Sequence, residues 1–228
     1  MSGHSKWSTI KHQKGAADQK RGVIFSKLAR AITVAAKNGS DPEMNFQLRL
    51  AVVKAKQANM PKENIERAIN RASGADGAQL EEVLFEAYGP GGTAFLIETA
   101  TDNRNRTVGE IRSILNKYDG KLAESGSVTY LFKHLGLIIL ENVDIVQAEL
   151  AAIDAGAEDV DANDKTVFVY TDPKELEKVR QNLLEIEFTS SEIGFEWLPT
   201  ATISIMDEKI DERISNLVES LEGLDDVS

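Results

Sequence analysis

The hydrophobic period of this chain changes once, across "SGADGAQ" (residues 73–79), and the sign of its charge changes at the same place. Upstream, apolar residues recur every three to four positions; downstream, alternating runs separate shorter helical ones. A helix period and a strand period bury different faces, so the chain must combine a helical body with an α/β one. The 26 bases and 37 acids divide into 14 and 5 over residues 1–72, and 12 and 32 beyond. A basic part suited to a polyanion therefore precedes an acidic part that repels one.

In the first part Ile24, Leu28, Ile32 and Ala35 recur at spacings of 4, 4 and 3, while Lys20, Lys27, Arg30 and Lys37 recur at 7, 3 and 7. The two sets predict one helix with a core face and an opposed basic stripe. Asn38-Gly39 is a stop signal. Asp41 and Pro42 predict the N-cap and first turn of a second helix with Phe46, Leu50 and Val53 as its apolar face. Pro61 opens a third, carrying Ile65, Ala68, Ile69 and Ala72.

Beyond the break, "GTAFLIETA" (92–100) reads as a strand, "TVGEIRSILNKY" (107–118) as a helix with a Thr107 to Glu110 capping box, and "GSVTYLF" (126–132) as a strand, together a β-α-β unit. "GLIILE" (136–141), a helix from Asp144 to about Ala155, a strand near Val160 and "TVFVYT" (166–171) follow. A helix capped by Asp172, with face Leu176, Val179, Leu183 and Ile186, then leads to "EIGFEW" (192–197). This β-α-β-β-α-β order is that of a ferredoxin-like domain. A strand "TATISI" (200–205) and a helix with Ile210, Ile214, Leu217 and Leu221 remain, and "DDVS" opens a last strand. The expected fold class is α+β: an N-terminal three-helix domain (1–77) and two ferredoxin-like α/β domains. The second domain is discontinuous (78–133 and 200–228), with the third (134–199) inserted into it.

No cysteine is present, which removes disulfides, thiolate metal sites and cysteine nucleophiles. His4, His12 and His134 are too scattered for a metal site. "YGPGG" (88–92) precedes its strand, so it reads as a turn; a phosphate loop would follow a strand and open a helix. No nucleophile elbow or paired-carboxylate arrangement stands out, so neither an enzyme nor a cofactor is expected. No run approaches the roughly 20 apolar residues of a membrane span, and the N-terminus lacks a signal peptide's apolar core, so a cytoplasmic location is expected.

Chemistry concentrates at the N-terminus. Lys6, Lys11, Lys14, Lys20 and Arg21 suit phosphates, and His12 adds a ring with a polar tip. Trp7 leaves two readings open: stacking on an unpaired base, or packing onto the helical core. In "TDNRNRTVGE" (101–110), Arg104 and Arg106 stand at a helix start, where their charge opposes the macrodipole. Either an anion relieves them, or acids of the same body do.

"GHSKWSTIKHQKGAADQKRGVIFSKLARAITVAAKNG", "NMPKENIERAI", "YGPGGTAFLIETATDNRNRTVGEIR" and "SGSVTYLF" resemble the YebC family, whose mitochondrial relative is the translational activator of cytochrome c oxidase. The resemblance implies three domains, the third inserted into the second. Members are described as probable transcriptional regulators binding DNA and as ribosome-associated factors that help synthesis through proline-rich stretches. The expected partner is nucleic acid, ribosomal RNA or duplex DNA, with ribosomal protein or tRNA as further contacts, no membrane, and a monomeric chain. RNA is favoured, because a tail with Trp7 suits unpaired bases better than a regular groove. Lys6, Lys11, Lys14, Lys20, Arg21, Lys27, Arg30 and Lys37 are expected on phosphates, with Trp7 and His12 beside bases and Arg104 and Arg106 as a second contact. The chain stops at Ser228, where members run on, so a short last strand is expected.

Overall fold

In the computed structural model residues 18–74 and 79–228 are described. They form two units: one runs from the N-terminal helices to Tyr130 and resumes at Ile203, the other is Leu131–Thr202.

Helices α1 (Asp18–Ala36), α2 (Phe46–Gln57) and α3 (Lys62–Arg71) surround a core of Ile32, Leu48, Val52, Ile65 and Ala68, against which Phe25 and Leu28 pack. The Asn38-Gly39 stop is real, with Gly39 at φ +140°. The second helix departs from expectation. Asn45 is its N-cap, accepting from Leu48 N at 3.1 Å, while Asp41 serves the turn before it. Buried Asn45 also donates to the carbonyls of Ala35 at 2.7 Å and Gly39 at 2.8 Å, so the α1–α2 junction selects the helix start. The buried face is Leu48, Val52 and Ala55; Val53 is exposed. Pro61 precedes α3 as expected.

The first sheet begins with a strand that alternation had not disclosed, β1 (Glu81–Tyr88). It forms an antiparallel hairpin with β2 (Ala94–Thr101), Phe85 opposite Ile97, and pairs on its other edge with the short β3 (Lys121–Leu122). "YGPGG" is the hairpin turn. Gly91 sits at φ +69°, and a Cβ on Gly89 would lie 2.3 Å from the Phe95 ring. Helix α4 (Arg104–Lys117) begins before the expected capping box, with Asn103 as N-cap. Residues 126–132 are not a strand: a 3-10 turn at Thr129–Leu131 precedes β4 (Phe132–Glu141). The amides of Gly126, Val128 and Thr129 all donate to the buried Glu86 carboxylate, at 2.6, 2.6 and 3.0 Å, which commits them away from any sheet.

The inserted unit follows the sequence reading closely. After β4 come α5 (Ile145–Ala155), β5 (Asp159–Asn163), β6 (Thr166–Thr171), α6 (Leu176–Glu185) and β7 (Glu192–Pro199). The strands form an antiparallel sheet in the order β5-β6-β4-β7, the split β-α-β arrangement of a ferredoxin-like domain. Asp144 caps α5, accepting from Gln147 N, and Gly156 ends it at φ +104°. For α6 the cap position is Glu175, without a side-chain bond; Asp172 instead accepts from Lys174 N in the preceding turn. Across the β4–β7 pair the His134 ring packs at a tilt against Trp197 at 4.7 Å and stacks on Phe195 at 5.7 Å.

Residues 200–205, expected as a strand, are irregular, with Ile203 and Met206 exposed. Helix α7 (Glu208–Glu222) then returns to the first unit, where Leu217 and Leu221 join Ile111 and Leu115 of α4 against Phe85 and Ile97. The last residues do extend the first sheet: Ala100 N donates to Asp226 O at 2.8 Å and Ser228 N to Glu98 O at 2.9 Å. Thr99 and Val227 form the bridge between them.

Candidate nucleic-acid interface

Lys6, Trp7, Lys11, His12 and Lys14 lie outside the described residues, and both readings of Trp7 lie there with them. Lys20 and Arg21 occupy the start of α1, their side chains likewise outside what is described.

The remainder of the α1 stripe is turned to the chain's own acceptors. Lys27 Nζ donates to Glu222 O at 2.6 Å, and burial holds its ammonium below the usual lysine range against the pull of Glu222 and Asp225. Lys37 Nζ donates to Leu80 O. Arg30 Nη1 donates to Ala100 O at 3.0 Å and forms an ion pair with Asp226.

Asp226 gathers the motif residues of the first α/β body. Its side chain is 3% exposed, and Oδ2 accepts from Arg106 Nη2 at 2.7 Å, Thr107 Oγ1 at 2.6 Å and Thr101 Oγ1 at 3.1 Å. The Thr101 and Thr107 hydroxyl oxygens lie 2.8 Å apart, and Asn103 N donates to Thr101 Oγ1 at 2.9 Å. Arg106 has a second carboxylate in Asp102, at 3.0 Å. Burial would raise the Asp102 carboxyl, but the bond and charge of Arg106 outweigh it and hold the group below its usual range. For Arg106, then, acids of the same body relieve the unfavourable place at the helix start. Arg30 and Arg106 against Asp226 and Asp102 make a charge-balanced clamp between α1, the end of β2, the start of α4 and the C-terminal residues. Thr107 belongs to that clamp, which is why it does not cap the helix.

Arg104 is different. It is exposed on the same helix start, with no hydrogen bond or ion pair among the described residues. Lys54 and Lys56 on α2 and Arg67 and Arg71 on α3 are also exposed and escaped the sequence reading. Their signal was available: each stands off the buried positions of its helix, Leu48, Val52 and Ala55 or Ile65 and Ala68. Tyr130, 72% exposed, follows the loop that Glu86 holds, and its place in an apparent alternation concealed it. Among the described residues no group of three or more potential ligands could hold a metal ion, and no helix is long and apolar enough to cross a membrane.

Residues 5–75 match the family model for the TACO1/YebC protein N-terminal domain, and residues 80–228 match that for the TACO1/YebC second and third domain. A protein of Halothermothrix orenii named "Probable transcriptional regulatory protein" is 46% identical over all of this chain and 92% of its own length. One of Geotalea uraniireducens with the same name is 48% identical, over all of this chain and 93% of its length. The crystal structure of a conserved hypothetical protein from Aquifex aeolicus superposes with a TM-score of 0.87 at 43% identity, covering 96% of this chain and 92% of that one. The chain belongs to the TACO1/YebC family.

Proposed function

We propose that this chain is a non-enzymatic, nucleic-acid-binding regulator of gene expression, acting in the cytoplasm as a ribosome-associated translation factor that helps synthesis through proline-rich stretches. One observation carries the binding part: 14 bases against 5 acids in residues 1–72 of a chain whose net charge is −11. Such segregation gives the N-terminal part a field that attracts polyanions in a chain that repels them overall. Lys6, Lys11, Lys14, Lys20 and Arg21 contact phosphates, with Trp7 and His12 beside unpaired bases and exposed Arg104 as a second contact. Lys27, Arg30 and Lys37 hold the basic helices on the α/β body, and Arg106 braces the Asp226 carboxylate that Arg30 reaches.

The names of the relatives favour a second reading, regulation of transcription through duplex DNA. Sedimentation of the full chain from lysate on a sucrose gradient separates the two. Wild type should travel with ribosomes, and a Lys6, Lys11, Lys14, Lys20 reversal to glutamate should stay at the top. If wild type also stays at the top, the ribosome reading fails and selection of duplex sites becomes the experiment.

A further inference from the structure

Helix α5 is built inside out. Its buried positions are the small side chains Ala148, Ala152 and Ala155, while Val146, Leu150 and Ile153 stand 65%, 59% and 61% exposed. Spacings of 4 and 3 align these three along one stripe, where a surface helix ordinarily carries polar residues. The helix packs against α6, β5 and β6 through its alanine face, and the stripe of Val146, Leu150 and Ile153 is left exposed.

The surroundings say what can cover the stripe. Residues 141–164 hold eight acids and no lysine or arginine, with Glu149 and Asp154 on α5 itself, and on the neighbouring α6 Lys178 and Arg180 are paired with Glu175 and Glu177. A second copy would bring those acids against themselves, since a two-fold contact joins a patch to its own image. Anionic lipid and nucleic acid meet the same repulsion.

We infer that the outer face of α5 docks a Lys/Arg-rich, amphipathic segment of another protein, whose apolar side chains seat on Val146, Leu150 and Ile153 while its cations face the acids around them. Only three apolar anchors are offered, which suits a reversible contact of the smaller interface class. The site lies in the inserted unit and does not depend on nucleic acid binding by residues 1–72, so either idea can fail alone.

Two experiments on the full chain test it. First, a synthetic Leu/Lys amphipathic helix and an isomer of scrambled order are titrated against wild type and Leu150→Gln/Ile153→Gln, with thermal melts verifying that the variant is folded. The amphipathic peptide should bind wild type about tenfold more tightly than its isomer, and the variant should lose that preference. Equal binding of both peptides, or an unchanged variant, would overturn the inference. Second, a photo-crosslinking benzoylphenylalanine at position 150 should capture in cells a protein segment rich in Lys and Arg, identified by mass spectrometry. Crosslinks to a second copy, to residues 1–17, to nucleic acid or to nothing would each overturn it.

Discussion

The Thr107 hydroxyl donates to Asp226 Oδ2 at 2.6 Å, joining the first turn of α4 to a residue 119 positions later. Around the same carboxylate, Arg30 brings in the basic helix and Thr101 the end of β2. The pair explains why Thr101, Thr107 and Asp226 can be polar in a buried place: each hydroxyl finds the carboxylate, and Arg30 supplies its counter-charge.

Asp226→Ala should therefore be among the more damaging single changes in the chain. It strips a carboxylate of 3% exposure from Arg30, Thr101 and Thr107, leaving a largely buried guanidinium without its counter-charge. Removing one partner of such a pair costs about 3–5 kcal/mol. Arg106 is 42% exposed and should matter less, with Arg106→Ala near the roughly 1 kcal/mol of a surface pair. Urea unfolding of the two variants checks the order, which reverses if Arg106 and not Asp226 anchors the clamp.

Glu86 predicts an acid limit to stability. Burial opposes its charge, but bonds from Thr129, Val128 and Gly126 outweigh that and lower its pKa from 4.5 to about 2. A carboxyl depressed in the folded state stabilises the protein fully above its unfolded pKa, and the contribution fades as pH falls from about 4.5 towards 2. Glu86→Gln should lower stability at neutral pH by about 1–3 kcal/mol, through donors left poorly satisfied. It should also flatten the loss between those pH values. Chemical denaturation at a series of pH values measures both, and a variant with wild-type acid sensitivity would assign that limit to other groups.

The inserted unit was legible because its signals are local: alternating strands, a capping Asp144, a terminating Gly156 and a complete element order. The errors arose where a distant residue set the local choice. Val128, Tyr130 and Phe132 alternate as a strand would, yet Glu86, some 40 positions earlier, had claimed the amides. On α2, Phe46-Leu50-Val53 and Leu48-Val52-Ala55 have identical spacing, and only packing against α1 and α3 distinguishes them. Of the basic stripe of α1, Lys27, Arg30 and Lys37 reach acceptors in the α/β body, while the Lys20 side chain lies outside the described residues. What that face meets depends on Asp226 and on the Glu222 and Leu80 carbonyls, which no local pattern connects to it.

Past the end of α6, Glu187 holds a left-handed conformation at φ +68°. Phe188 N donates to Leu183 O at 2.9 Å and Glu187 N to Leu184 O at 3.1 Å, the paired bonds of a Schellman cap with a glutamate where glycine usually stands. A Cβ there costs about 1 kcal/mol relative to glycine. Glu187→Gly should stabilise the protein by roughly that amount less the extra unfolded-state entropy of glycine, a net gain of a few tenths to 1 kcal/mol. A lower melting temperature for this variant would mean that its side chain contributes more than its backbone costs.

Salt dependence distinguishes cations that meet phosphate from cations that hold the fold. Each lost phosphate contact lowers the slope of log affinity against log salt by about 0.7 on single strands, so replacing Lys6, Lys11, Lys14 and Lys20 by Gln should reduce it by about 3. Arg30→Gln should behave oppositely, lowering the unfolding midpoint by loosening the Asp226 clamp while leaving the slope of the folded protein unchanged. Fluorescence anisotropy with a labelled single-stranded RNA, repeated over a range of salt concentrations, gives both slopes. If Arg30→Gln reduces the slope as Lys14→Gln does, α1 must release Asp226 to bind, and the clamp would be a state that RNA opens.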